Sequence, residues 1–136
     1  MDVGTRQALI AAATVAHERA YAPYSHFQVG AAVLDGTGHI FTGCNVENVS
    51  YGLTSCAERN AVFCAVAEGA RSIVAVAVVT AADAPTAPCG ACRQVLNEFT
   101  GGGDMRVILA TTGGHMRETS LSALLPESFS SFMPTS

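Results

Sequence analysis

Four residues of this chain could do chemistry together: Cys56, Glu58, Cys89 and Cys92. Cys89 and Cys92 stand three apart in "PCGAC", so on a helix they share one face. Pro88 suits a helix entry, and Gly90 lets a backbone approach closely. Cys56 opens a second predicted helix in "TSCAERNA". Helix N-termini present unpaired N–H groups and a partial positive charge, which favour the thiolate, the metal-binding form of cysteine. Three converging thiolates suit zinc, which takes soft ligands in tetrahedral geometry. With three protein ligands a fourth position is left for water, as in catalytic sites; a fourth protein ligand makes a closed structural site. Cys64 lies two helical turns beyond Cys56, ~12 Å along the axis, and cannot join the same ion. Cys44, on a predicted strand, could. A C-x-x-C pair alone would also read as a redox motif, which does not call for the third Cys. Outside a metal site, Cys44 and Cys64 read as small buried hydrophobes.

Glu58 carries two readings. Ser55 followed by Glu58 is the capping-box pattern, in which the Glu carboxylate accepts the Ser backbone N–H. The same carboxylate, two residues from Cys56, would stand beside a metal as a proton carrier. A Glu spent on Ser55 could not do both, and the two further ligands in "PCGAC" favour the proton carrier. Zinc with three thiolates is net negative, a poor setting for activating water. Arg59 and Arg93 each closely follow a Cys-bearing helix start. Either could offset that charge, or simply face solvent.

The elements that must position these groups follow from pattern. Residues 5–20 read as a helix capped by Thr5, with Leu9, Ile10, Ala13 and Ala16 on one side. Residues 27–34 and 39–47 read as a hairpin about "DGTG". A helix is expected from Cys56 to Gly69, and a strand buried on both faces over 72–80. A helix from Cys89 to Phe99 follows, then strands over 105–111 and 115–119 joined by a tight turn, and a short helix over 120–125. The order αββαβαββα predicts an α/β fold, with helices on both faces of one mixed five-stranded sheet. Asn45 and Glu47, two apart on a strand, would share a face and suit hydroxyl recognition, or simply be solvated beside a turn. Phe27 by itself reads as core. Phe129, a large aromatic in an exposed tail, calls for a partner surface.

Composition bounds the function. The 136 residues fit one domain with its own core. Apolar residues are 49% and charged ones 13%, more apolar surface than one small domain needs, which suggests an oligomer. The net charge of −4, with no Lys, argues against nucleic acid or an anionic membrane as partner. The longest apolar runs are too short to span a bilayer. Five cysteines without an export-signal pattern predict a cytoplasmic protein.

"CAER" followed by "PCGACRQVL" resembles the zinc-dependent cytidine deaminases, in the version with three Cys in place of His and two Cys. "YAPYSHFQVGAAV", "GCNVENVSYGLTSCAERNAV" and "LLPESF" look like family segments in their expected order. The resemblance runs from about Tyr21 to Phe129. It implies a three-layer α/β/α cytidine deaminase-like fold, Zn2+ held by Cys56, Cys89 and Cys92, and Glu58 as a proton shuttle that does not bind the metal. It implies that the Ala57 N–H holds the base, Arg59 offsets the thiolates, Phe27 lines the pyrimidine pocket, and Asn45 and Glu47 hold the sugar hydroxyls. Tyr51 matches a position on a subunit-shared rim, and Phe129 an aromatic supplied by a neighbouring subunit in a homotetramer. The implied reaction, part of pyrimidine salvage, is hydrolysis of cytidine and 2′-deoxycytidine to the uridine products and ammonia, by zinc-held hydroxide attacking C4. The rival readings are a deaminase of another aminopyrimidine nucleoside and a zinc-stabilised binding module without catalysis. His26 and the tail after Phe129 receive no role.

Overall fold

The computed structural model describes residues 1–131. The chain order is α1 (Val3–Glu18), β1 (Val29–Asp35), β2 (Ile40–Cys44), a 3₁₀ turn at Tyr51–Leu53, α2 (Ala57–Ala67), β3 (Ile73–Thr80), α3 (Gly90–Asn97), β4 (Arg106–Thr111), β5 (Met116–Ser120) and α4 (Leu121–Leu124). The five strands form one sheet in the order β2-β1-β3-β4-β5. Only β3 and β4 run parallel; the other neighbours are antiparallel. The expected mixed sheet is therefore present.

Strand alternation sorts the core into two layers. Ala31, Val33, Val76, Val78, Val107 and Leu109 face α2 and α3, packing with Ala57, Ala61, Val62 and Leu96. Ala32, Ala75, Ala77, Val79, Ile108 and Ala110 face α1, packing with Leu9 and Ala13. Both faces of β3 are covered, which is why "IVAVAVV" shows no polar alternation. The small apolar residues allow close approach. A Cβ on Gly30 would fall 2.0 Å from the Ala13 carbonyl oxygen, and one on Gly43 would fall 2.3 Å from the Ala61 nitrogen and 2.6 Å from the Ala57 oxygen. The first turn of α2 thus rests directly on the β2 backbone, which fixes Cys56 and Glu58 against the sheet.

Several local expectations are corrected. The N-cap of α1 is Asp2, whose Oδ1 accepts the Thr5 N–H at 2.7 Å; Thr5 lies one turn inside. β2 ends at Cys44, so Asn45–Glu47 is not strand but extended chain, with Val46 bridged to Tyr21 and Ser55. Cys64 is exposed on α2 and Cys44 is half-buried, its thiol 3.6 Å from the Arg19 carbonyl. Neither is a core residue. Among the described residues, no helix is long and apolar enough to cross a membrane. The tail from Phe132 lies outside the described residues.

Candidate functional site

The three predicted thiols meet. Cys56 is the N-cap of α2 and Cys89 the N-cap of α3, with Cys92 in the first turn of α3. Cys56 Sγ is 3.9 Å from Cys89 Sγ, Cys89 Sγ is 3.4 Å from Cys92 Sγ, and all three sulfurs lie within 4.8 Å of one another. Zn–S bonds of ~2.3 Å in a tetrahedron require sulfurs roughly 3.8 Å apart, so the set fits zinc. Among the described residues no other His, Cys, Asp or Glu joins the cluster, and Cys44 is not part of it. The donor set is thus the open, three-ligand kind.

Charge at the cluster supports the same fit. The Cys56 thiol is pulled down to about 5, first by its hydrogen bond with Cys92 and, against the cost of burial, by the Arg59 guanidinium. Cys92 is pushed up, chiefly by that same bond to Cys56 and by burial. Three sulfurs this close cannot all ionise alone, whereas a bound divalent cation deprotonates coordinating thiols outright. Arg59 donates from a terminal nitrogen to Cys56 Sγ at 3.1 Å. Arg93 does something else: it donates to the carbonyls of Pro88 and Leu124, both at 2.7 Å, and ties α3 to α4.

The capping question is resolved by Ser55. Its backbone N–H donates to the Val46 carbonyl at 2.9 Å, and its hydroxyl donates to Asn60 Oδ1 at 2.7 Å. Glu58 therefore does not close a capping box. The residue is only 5% exposed, and burial, reinforced by the neighbouring Cys56, pushes its carboxyl above the usual range.

Cys56, Ala57, Glu58 and Cys89 line a cavity of about 280 Å³, together with Phe27, Asn45, Glu47, Ser25 and Thr80. This is just below the ~300–1,000 Å³ usual for small-molecule clefts. Phe27 is 40% exposed and lines the cavity, so it is a wall and not a core residue. Asn45 is buried. Its Oδ1 accepts the Val29 N–H and its Nδ2 donates to the Phe27 carbonyl, both at 2.8 Å. One amide hydrogen and one lone pair remain for a ligand. Glu47 accepts from the N–H groups of Tyr24 and Ser25 and from the Ser25 hydroxyl, which holds its carboxyl below the usual range; the hydroxyl is the main cause.

Tyr51 does not line this cavity. It lines an adjoining depression with Tyr24, Asn48 and the shared residues Ser25, Glu47 and Thr54. Phe129 also lies outside the cavity lining; it is 60% exposed, and its carbonyl accepts from Gln94 Nε2 at 2.8 Å. A larger, open depression of about 1010 Å³ lies between the start of α1 and the β4–β5 edge, but it contains no thiol. The lining residues not singled out from sequence include Ser25, Thr54, Val78, Thr80 and Thr86. Ser25 alone carried a signal, as a loop Ser two residues before Phe27.

Comparison with known proteins agrees with this geometry. The family described as "Cytidine and deoxycytidylate deaminase zinc-binding region" matches residues 4–111. The cytidine deaminase of Sporosarcina psychrophila is 51% identical over 130 residues, covering 96% of this chain and 93% of that protein. The crystal structure of cytidine deaminase from Burkholderia pseudomallei superposes with a TM-score of 0.86 at 50% identity, covering 95% of this chain and all of that one. The enzyme from Mycobacterium tuberculosis gives a TM-score of 0.78 at 42% identity, over 96% of this chain and all of the other. With its three-sulfur cluster and its mixed sheet, this chain belongs to the zinc-dependent cytidine deaminase family.

Proposed function

We propose that the chain, as one catalytic domain over residues 1–136, hydrolyses cytidine and 2′-deoxycytidine to uridine and 2′-deoxyuridine plus ammonia. The observation that carries this reading is a buried carboxylate, Glu58, not consumed by helix capping, that lines a cavity of about 280 Å³ beside a cluster of three convergent sulfurs. Cys56, Cys89 and Cys92 would hold zinc, which when bound supplies the Lewis acid that makes water nucleophilic at neutral pH.

The chain's own groups do the rest. Glu58 takes a proton from the attacking water and delivers it to ring N3 as the oxygen bonds to C4. It then carries the remaining hydroxyl proton to the amino group, the C4–N bond breaks and ammonia leaves. In this double role the carboxyl acts first as a base and then as an acid. Arg59 offsets the thiolate charge, and Phe27 packs on the pyrimidine. The Ala57 N–H, at the unpaired start of α2, holds the base. Asn45 and Glu47 hold the sugar hydroxyls. Tyr51 and Phe129, both exposed, complete the rim across subunit contacts of a homotetramer. The role in the cell is pyrimidine salvage in the cytoplasm.

Nucleosides are favoured over their 5′-phosphates. The cavity and the adjoining depression are lined by no Arg, the chain has no Lys, and Glu47 stands between the two. A phosphate there would meet a like charge without a counterion. Assayed side by side, cytidine and 2′-deoxycytidine are expected to exceed deoxycytidylate in kcat/KM by at least about 100-fold. Equal or better use of the nucleotide would move the chain to deoxycytidylate deamination.

A further inference from the structure

Glu47 is held by a network that reaches the Phe27 wall of the cavity. Its Oε1 accepts two backbone N–H groups, from Tyr24 at 2.9 Å and Ser25 at 3.1 Å. Its Oε2 accepts the Ser25 hydroxyl. A carboxylate has about four acceptor sites, so roughly one remains, and it is on Oε2. The same Ser25 Oγ accepts the Phe27 N–H at 3.0 Å. Between them His26 takes a left-handed backbone conformation, φ 58°, which turns the chain between Ser25 and Phe27. Such a conformation is costly for a non-glycine residue and persists only where surrounding contacts enforce it. Ser25 also lines both the cavity and the adjoining depression.

We infer that Ser25 is a positioning residue for substrate: its hydroxyl aims Glu47 Oε2 at the sugar and locks that carboxylate to the Phe27 wall. This deepens the cytidine deaminase reading and rests on it. Ser25 donates its only hydroxyl hydrogen to Oε2, so Oε2 retains one free acceptor direction, fixed by that bond. A sugar hydroxyl meets a preset acceptor, and the side-chain ordering cost of binding is reduced. Because the contact is made to substrate and transition state alike, its loss should appear in KM and leave kcat nearly unchanged.

The test compares wild type, Ser25→Ala, Ser25→Thr, Glu47→Gln and the Ser25→Ala/Glu47→Gln double variant on cytidine and on 2′,3′-dideoxycytidine. Ser25→Ala is expected to raise KM for cytidine by about 10-fold with kcat changed less than about threefold, the size expected for losing a hydrogen bond to a charged group. The same substitution should change KM by less than about threefold for the dideoxy substrate, or in the Glu47→Gln background, since neither retains the full contact. Ser25→Thr, which keeps the hydroxyl, should restore near-wild-type KM. An unchanged KM in Ser25→Ala overturns the inference, as does an equal rise for both substrates or a Thr variant no better than Ala. Wild-type activity on cytidine separates the two levels: with it present, only the Ser25 inference fails; without it, the deaminase reading fails and this one with it.

Discussion

Glu58→Gln is expected to retain about one zinc per chain, held by the three unaltered cysteines, while cytidine turnover falls by at least ~10²–10⁴. Glu58 is buried at the start of α2, against the cluster but not within it. Gln fills the same volume and preserves hydrogen bonding, so the sulfurs should not move. What Gln lacks is a carboxylate that can accept a proton from water and pass it on. The predicted separation of metal content from turnover is what distinguishes a proton carrier from a ligand. Metal analysis and steady-state assay of the same preparation read both. Near-normal turnover, or loss of zinc, would remove Glu58 from the proposed role.

Cys89→Ala should abolish activity by a different route, through loss of the metal. The Cys89 side chain is exposed, so truncating it removes little packing, whereas Cys92 is fully buried and its loss would mix cavity and metal effects. Zinc binding that is linked to folding appears directly in stability. The melting temperature of Cys89→Ala is therefore expected to match that of wild type stripped of metal, and added zinc should raise the wild-type value only. Differential scanning calorimetry with and without a chelator makes this comparison. A Cys89→Ala protein that keeps tightly bound zinc and turns over cytidine would contradict the assignment of the cluster.

Much of this was legible in the sequence because it depends on local pattern. The order of helices and strands followed from apolar runs and Gly-rich turns, and the cluster from Cys spacing at two helix starts. What escaped depends on individual side-chain geometry or on contacts distant in the chain. Asp2 outcompeted Thr5 as the cap of α1, a choice decided by one side-chain geometry. Cys64 was expected inside, but its position on α2 faces away from the sheet while Ala61 and Ala65 face it. Asn45 and Glu47 both reached the cavity, although β2 ends before them, because bridges of Val46 to Tyr21 and Ser55 keep the chain extended. Arg59 and Arg93 each closely follow a Cys-bearing helix start; only the packed structure separates a sulfur donor from a carbonyl clamp. The partnership of Ser25 with Glu47 spans 22 positions and has no local signature.

The central claim is hydrolysis of cytidine by the zinc-loaded chain, and one measurement addresses it directly. Purified protein with its metal content determined is mixed with cytidine, and the loss of cytosine absorbance is followed together with ammonia released. The account predicts conversion to uridine with one ammonia per cytidine consumed, lost on chelation and regained on adding zinc. Zinc-loaded protein that leaves cytidine unchanged would contradict it.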